Sequence, residues 1–118
     1  MTAIIRVTPD AGDISHAPIA AAKVLQGKPN STTAHQFTNN QNNFHCGVWS
    51  SDAGKWTLNY TEDEFCYIID GEAIITDQNG VKENLTKGDA FVVPAGFSGT
   101  WETINSVQKF YAIYEKAE

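Results

Sequence analysis

Cysteine, basic side chains and long apolar runs are all scarce in this sequence. Two cysteines cannot frame a disulfide-stapled fold, and Cys46 and Cys66 both stand in apolar, strand-like surroundings, which reads as buried free thiols. Eight Lys and Arg against 14 Asp and Glu leave a formal charge of −6, with no basic cluster longer than two residues. A phosphate backbone would be repelled on average, so nucleic acid is excluded as a class of partner. No run approaches the roughly 18 apolar residues that a membrane span needs. The opening MTAIIRVTPDAGD lacks a hydrophobic core ahead of a small-residue cleavage site. The expectation is a cytoplasmic chain without membrane contact, in which the sequons at Asn30, Asn59 and Asn84 are chance matches.

What is present is ordinary for a globular protein: 118 residues, 42% hydrophobic and 19% charged. One core is expected, burying roughly two-thirds of the unfolded surface. From about residue 34 onward short strands alternate with turns, and no helical period is sustained. The candidate strands are 34–38, 44–50, 55–60, 64–69, 72–77, 82–85, 90–93, 99–105 and 107–114. Between them SDAG, DQNG, TKGD and PAGFSG supply the Gly, Asp and Asn that turns require. Residues 1–33 are weakly patterned. SHAPIAAAKVLQG allows a short helix capped by Ser15 and stopped at Gly27, or equally a strand or an extended arm.

Glu64 is followed after six residues by Gly71, and Gly88 after five by Pro94 and then Gly96. These blocks resemble the two motifs of the cupin superfamily, G-x5-H-x-H-x3,4-E-x6-G and G-x5-P-x-G-x2-H-x3-N. The stretches TEDEFCYIIDGE and PAGFSGTWE, with the closing KFYAIY, look like the small single-domain cupins grouped with the ethanolamine-utilisation cupin and with ureidoglycine aminohydrolase. The resemblance covers residues 47–115. It implies an all-β, jelly-roll-like barrel (a double-stranded β-helix) over residues 34–118, with 1–33 as an N-terminal arm packing on the barrel or on a partner subunit.

Aligned on Glu64, the two histidines of the first motif fall at Leu58 and Tyr60, the glutamate ligand is Glu64 itself, and the histidine of the second motif falls at Gly99. Three of four ligands are replaced. A carboxylate with a phenol and no imidazole is a poor donor set for a transition metal, so no metal and no cofactor is expected. His16, His35 and His45 show neither the H-x-H nor the H-x3-H spacing that would set two imidazoles on one face. His45, in a strand-like run, is the one that could reach a barrel interior.

If Glu64 faces inward as the resemblance implies, strand parity puts Trp56, Leu58 and Tyr60 on an inward face, and the alignment adds Gly99 and Trp101. The expected pocket is a carboxylate and a phenol in an aromatic cage, with Gly99 leaving room where an imidazole would stand. Burial disfavours a charged carboxylate unless a cation neutralises it, and Lys109 in VQKFYAIY is the nearest candidate. Glu62 and Asp63 are expected outside, in solvent.

Such a pocket suits a small organic ligand. The leading expectation is a metal-independent enzyme acting on a small nitrogenous or carboxylated metabolite. In it Glu64 is acid or base, Tyr60 a hydrogen-bond donor, Lys109 an ion-pair or proton-transfer partner, and Trp56, Leu58, Gly99 and Trp101 the substrate walls. A binding cupin without turnover is the alternative, and a metal-dependent aminohydrolase resembling ureidoglycine aminohydrolase comes third. A homodimer joined through residues 1–33 is expected, because a weakly structured arm gains most from packing on a second subunit.

Overall fold

A computed structural model describes residues 2–116. They form eight strands: β1 (Asp13–Pro18), β2 (Val24–Gln26), β3 (Asn30–Thr38), β4 (Phe44–Asn59), β5 (Asp63–Asp77), β6 (Lys82–Thr86), β7 (Ala90–Val93) and β8 (Ser98–Tyr114). A single 3-10 turn, Ala21–Lys23, precedes β2. All pairings are antiparallel, in the order β1-β3-β4-β8-β5-β6, with β2 also on β4 and β7 also on β5.

Three long strands carry the architecture. β4, β8 and β5 lie side by side, and their ladders slip at one common level: between Asp52 and Gly54 on β4, and between Ile68 and Ala73 on β5. An extra residue on one strand breaks the ladder and bends it. On one side of the bend β3 and β7 extend the sheet, and on the other β2 and β6 do so. The result is the two-layered, jelly-roll-like arrangement expected, with the core between the layers: Trp56, Ile68, Ala73, Ile75, Leu85, Val93, Trp101 and Val107.

The bends correct several sequence expectations. The expected strands 44–50 and 55–60 are one strand that ends at Asn59, and 64–69 with 72–77 and 99–105 with 107–114 are likewise one strand each. SDAG is therefore a bulge within β4 and not a turn. Gly71 bends β5 and does not end it: its φ is +84°, and a Cβ there would run into the carbonyl of Ser106 on β8. Only glycine meets both demands at once. The helix allowed over residues 15–27 does not form; β1, the 3-10 turn and β2 occupy that stretch, and β3 begins at Asn30. The arm thus contributes strands to the sheet, β1 on β3 and β2 on β4.

The expected turns hold where their side chains bond backbone. Asp77 Oδ1 accepts from the amides of Asn79 (2.8 Å) and Val81 (3.0 Å), and Asp89 Oδ2 from that of Thr86 (2.8 Å). Asp63, expected only to be solvated, accepts from the amide of Ala95 at 2.8 Å and so pins the Pro94 turn beside β5. No helix among the described residues is long and apolar enough to cross a membrane.

Candidate functional site

The bulges decide which side chains share an interior face. A one-residue slip moves a strand's inward set to the opposite parity. On β4, His45 and Trp49 point inward before the bulge, and Trp56 and Leu58 after it. On β8, Trp101, Lys109, Tyr111 and Ile113 join them, and β5 adds Glu64. Together with Thr33 and His35 of β3, Ile19 and Tyr60, they enclose a cavity of about 510 Å³ with mostly apolar walls. Cavities of this size and character are the usual seats of small organic ligands.

Three of the anticipated residues meet inside it. Tyr60, held by backbone bonds from its amide to Phe97 and from Gly96 to its carbonyl (2.9 and 2.8 Å), donates its phenolic proton to Glu64 Oε1 at 2.5 Å. Lys109 Nζ donates to Glu64 Oε2 at 3.2 Å and to Cys66 Sγ at 3.3 Å. Glu64 is 5% exposed and Lys109 4%, so this ion pair is dry. The ammonium also lies 5.0 Å from the Trp49 ring centroid and 4.8 Å from that of Trp101, where the ring quadrupoles favour a cation.

Electrostatics follow from this packing. Burial opposes a charged Lys109, but the negative charge available on Cys66, Glu64 and Tyr60 outweighs it and holds the ammonium above the ordinary lysine range. Burial, helped by the Glu64 charge, pushes the Tyr60 phenol well above its usual range, against an opposing pull from Lys109. It likewise pushes the Cys66 thiol up to about 11. At neutral pH Lys109 is therefore an ammonium, Tyr60 a neutral phenol and Cys66 a neutral thiol, all three around Glu64.

Trp101 and Trp56 wall the cavity. They stack at 28° with centroids 6.5 Å apart, and Trp49 stands edge-on to both. The Trp101 indole N–H donates to Thr103 Oγ1 at 2.9 Å, and Thr103 is in turn 2.6 Å from Ser51 Oγ. Leu58 lines the cavity as expected. Gly99 does not: the space a Cβ would take there is filled by the Phe97 ring and the carbonyl of Thr76, so the missing side chain admits protein and not ligand. Cys66 is buried and Cys46 half-buried, both as free thiols.

Sequence reasoning missed Trp49, Tyr111 and His35. His35 Nδ1 lies 2.9 Å from Tyr111 Oη, and its ring centroid is 5.9 Å from that of His45. The phenol can lie there because β4 has Gly47 beneath it: a Cβ at Gly47 would stand 2.8 Å from Tyr111 Oη. His16 lies elsewhere, exposed and bonded to Thr32.

The residues present do not fit the metal that cupin motifs often hold. Among the described residues Glu64 is the only carboxylate lining the cavity, and it is already paired with an ammonium at 3.2 Å, which would repel a divalent ion approaching the same oxygen. Among the described residues no three His, Cys, Asp or Glu side chains converge into a ligand set.

Solved structures with this fold include a protein of unknown function of the DUF861 family from Pseudomonas syringae pv. tomato, at 20% identity and a TM-score of 0.76, covering 94% of this chain and 44% of that one. Clostridium difficile EutQ matches at 22% identity and a TM-score of 0.66, over 73% of this chain and 63% of EutQ. A DUF861 family protein from Thermotoga maritima is 30% identical over 54% of this chain and 73% of its own, with a TM-score of 0.53. This chain therefore spans less than two-thirds of the first two proteins. No curated protein matches it. The family model for the EutQ-like cupin domain matches residues 38–111, the stretch that contributes all of β4 to β7 and most of β8, and the chain belongs to that family.

Proposed function

We propose that this cupin binds a small organic molecule in the aromatic-walled cavity and acts on it by metal-independent proton transfer. The observation that carries the proposal is the buried Tyr60–Glu64–Lys109 cluster at the cavity wall. A ligand group bonded to Tyr60 Oη can pass it a proton while Tyr60 passes its own to Glu64 Oε1, so Glu64 is the base and Tyr60 the relay. Because the phenol is held protonated, it relays and does not accumulate as phenolate. Lys109 stands 3.2 Å from Glu64 Oε2 as its countercharge; once Glu64 Oε1 has taken the proton, the pair carries the single positive charge of the ammonium. Trp56, Leu58 and Trp101 supply apolar contact and orientation.

Both Glu64 oxygens already have partners, and this favours a second reading in which the cluster is structural and the cavity binds without turnover. One substitution separates the two. Glu64→Gln keeps a hydrogen-bonding side chain of the same shape but cannot take up the proton. Wild type and variant would be incubated with a metabolite library of small amines, amides and hydroxy compounds, with binding read by thermal shift and conversion by mass spectrometry. The expected result is binding by both and conversion by wild type alone. Conversion by the variant would remove Glu64 from the chemistry, and binding by both without conversion would establish the second reading.

A further inference from the structure

Five side chains outside the Glu64 cluster form one hydrogen-bonded line. Tyr111 Oη lies 2.9 Å from His35 Nδ1, and His35 Nε2 lies 2.6 Å from Thr38 Oγ1. Thr38 Oγ1 is 3.0 Å from His45 Nδ1, and His45 Nε2 is 2.8 Å from Glu115 Oε2. One end is buried in the cavity wall at Tyr111, and the other is exposed at Glu115.

Each link fixes the next. An ionised carboxylate only accepts, so a neutral His45 carries its proton on Nε2 and leaves Nδ1 as an acceptor. Thr38 must then donate to His45, and with its single proton committed it accepts from His35. That puts the His35 proton on Nε2 and makes its Nδ1 an acceptor, which the Tyr111 hydroxyl satisfies by donating. Burial first, then the charges of Cys46 and Glu64, push the Tyr111 phenol up to about 12, so it has a proton to give to this bond. The phenol is left with lone pairs, and no proton, to offer the cavity. Tyr60 is in the same condition, its proton committed to Glu64.

We propose that the line from Glu115 to Tyr111 sets the ligand class: with both imidazoles neutral, the two cavity phenols are hydrogen-bond acceptors, and the molecule that binds presents N–H or O–H donors to them. This narrows the earlier expectation of a nitrogenous or carboxylated metabolite to the first kind, because a carboxylate would meet lone pairs at both phenols. It rests on the reading that the cavity binds an organic ligand.

The test uses two neutral probes of one shape, indole, which donates through N–H, and benzofuran, which has no such donor. It is run at pH of about 8.5, above the ordinary imidazole range. Nitrogen NMR of the labelled imidazoles should find His35 and His45 both in the Nε2–H form. Calorimetric titration should find indole bound roughly tenfold more tightly than benzofuran, the worth of one neutral hydrogen bond. Thr38→Val, at an exposed strand end, keeps the shape but cuts the line, and should lower that preference to what the Tyr60 acceptor alone supports. A proton on His35 Nδ1, or equal affinity of the wild type for the two probes, would overturn the proposal. Failure of both probes to bind, with the imidazole forms as expected, would instead defeat the reading of the cavity as a ligand site and the ligand class with it.

Discussion

Lys109→Met should lower the unfolding free energy by about 3–5 kcal/mol, the usual cost of leaving a buried charge without its partner. Methionine fills the aliphatic volume, but Glu64 then retains only the Tyr60 proton in a site where it is 5% exposed. The double variant Lys109→Met, Glu64→Gln removes both charges and should recover most of the loss, since a neutral replacement of a buried pair is often nearly neutral in stability. Urea titration of the four proteins gives the coupling directly. A single-variant loss below about 1 kcal/mol would mean that water reaches Glu64 when Lys109 is removed, and that the pair is not the dry unit described here.

The same cluster fixes the sign of the pH dependence. A group whose pKa is raised by folding contributes stability that is complete below its unfolded pKa and fades as pH climbs toward the folded one. Cys66 rises from 9.0 to about 11, and Lys109 also rises. Stability should therefore decline from about pH 9 upward, first through the thiol, then through the raised phenols of Tyr60 and Tyr111 and the ammonium.

Trp101→Ala is the second large effect. Trp101 is 2% exposed, packed between Trp49 and Trp56 and beneath the Lys109 ammonium. Truncation should cost about 3–5 kcal/mol, the range for large aromatics in cores. It also leaves Thr103 Oγ1 without its indole donor, with only Ser51 Oγ still bonded to it. Trp101→Phe keeps most of the packing and should lose about 1–2 kcal/mol, chiefly the hydrogen bond. For any ligand found by the library screen, affinity should fall by more than about 1 kcal/mol in the alanine variant, through lost stacking and apolar contact. Equal urea midpoints for wild type and Trp101→Ala would show that Trp101 is not a core residue, and unchanged affinity would take it out of the ligand wall.

The fold was legible because its signature is local. Gly71, Gly88, Pro94 and Gly96 mark where the backbone bends or turns, and the spacing between them survives any change in the side chains around the pocket. Tyr60, Glu64 and Lys109 were legible as a group for a related reason: two lie on one motif, and the third was the nearest cation available to a buried carboxylate. The His35, Trp49 and Tyr111 side of the cavity was not. Parity counted from Glu64 back through Tyr60 and Trp56 stops being valid at the bulge between Asp52 and Gly54, beyond which β4 points its odd-numbered residues inward. His35 and His45 sit on different strands, so no spacing within one strand could join them; the signal that could have done so was the NNQNN hairpin, which pairs Thr38 with His45. Gly99 misled because alignment with a motif histidine gives a position and not what fills the space beside it. Phe97, two residues earlier, folds back over that position.

The central claim is that the carboxylate of this cupin is balanced by an ammonium where a metal would otherwise stand. It is tested most directly by the metal content of native protein isolated without chelator. The account predicts no transition metal approaching one per chain, with Lys109→Met no different from wild type. One Mn, Fe, Ni or Zn per wild-type chain would contradict it and would require Glu64 to exchange Lys109 for a ligand set including the imidazoles of His35 and His45.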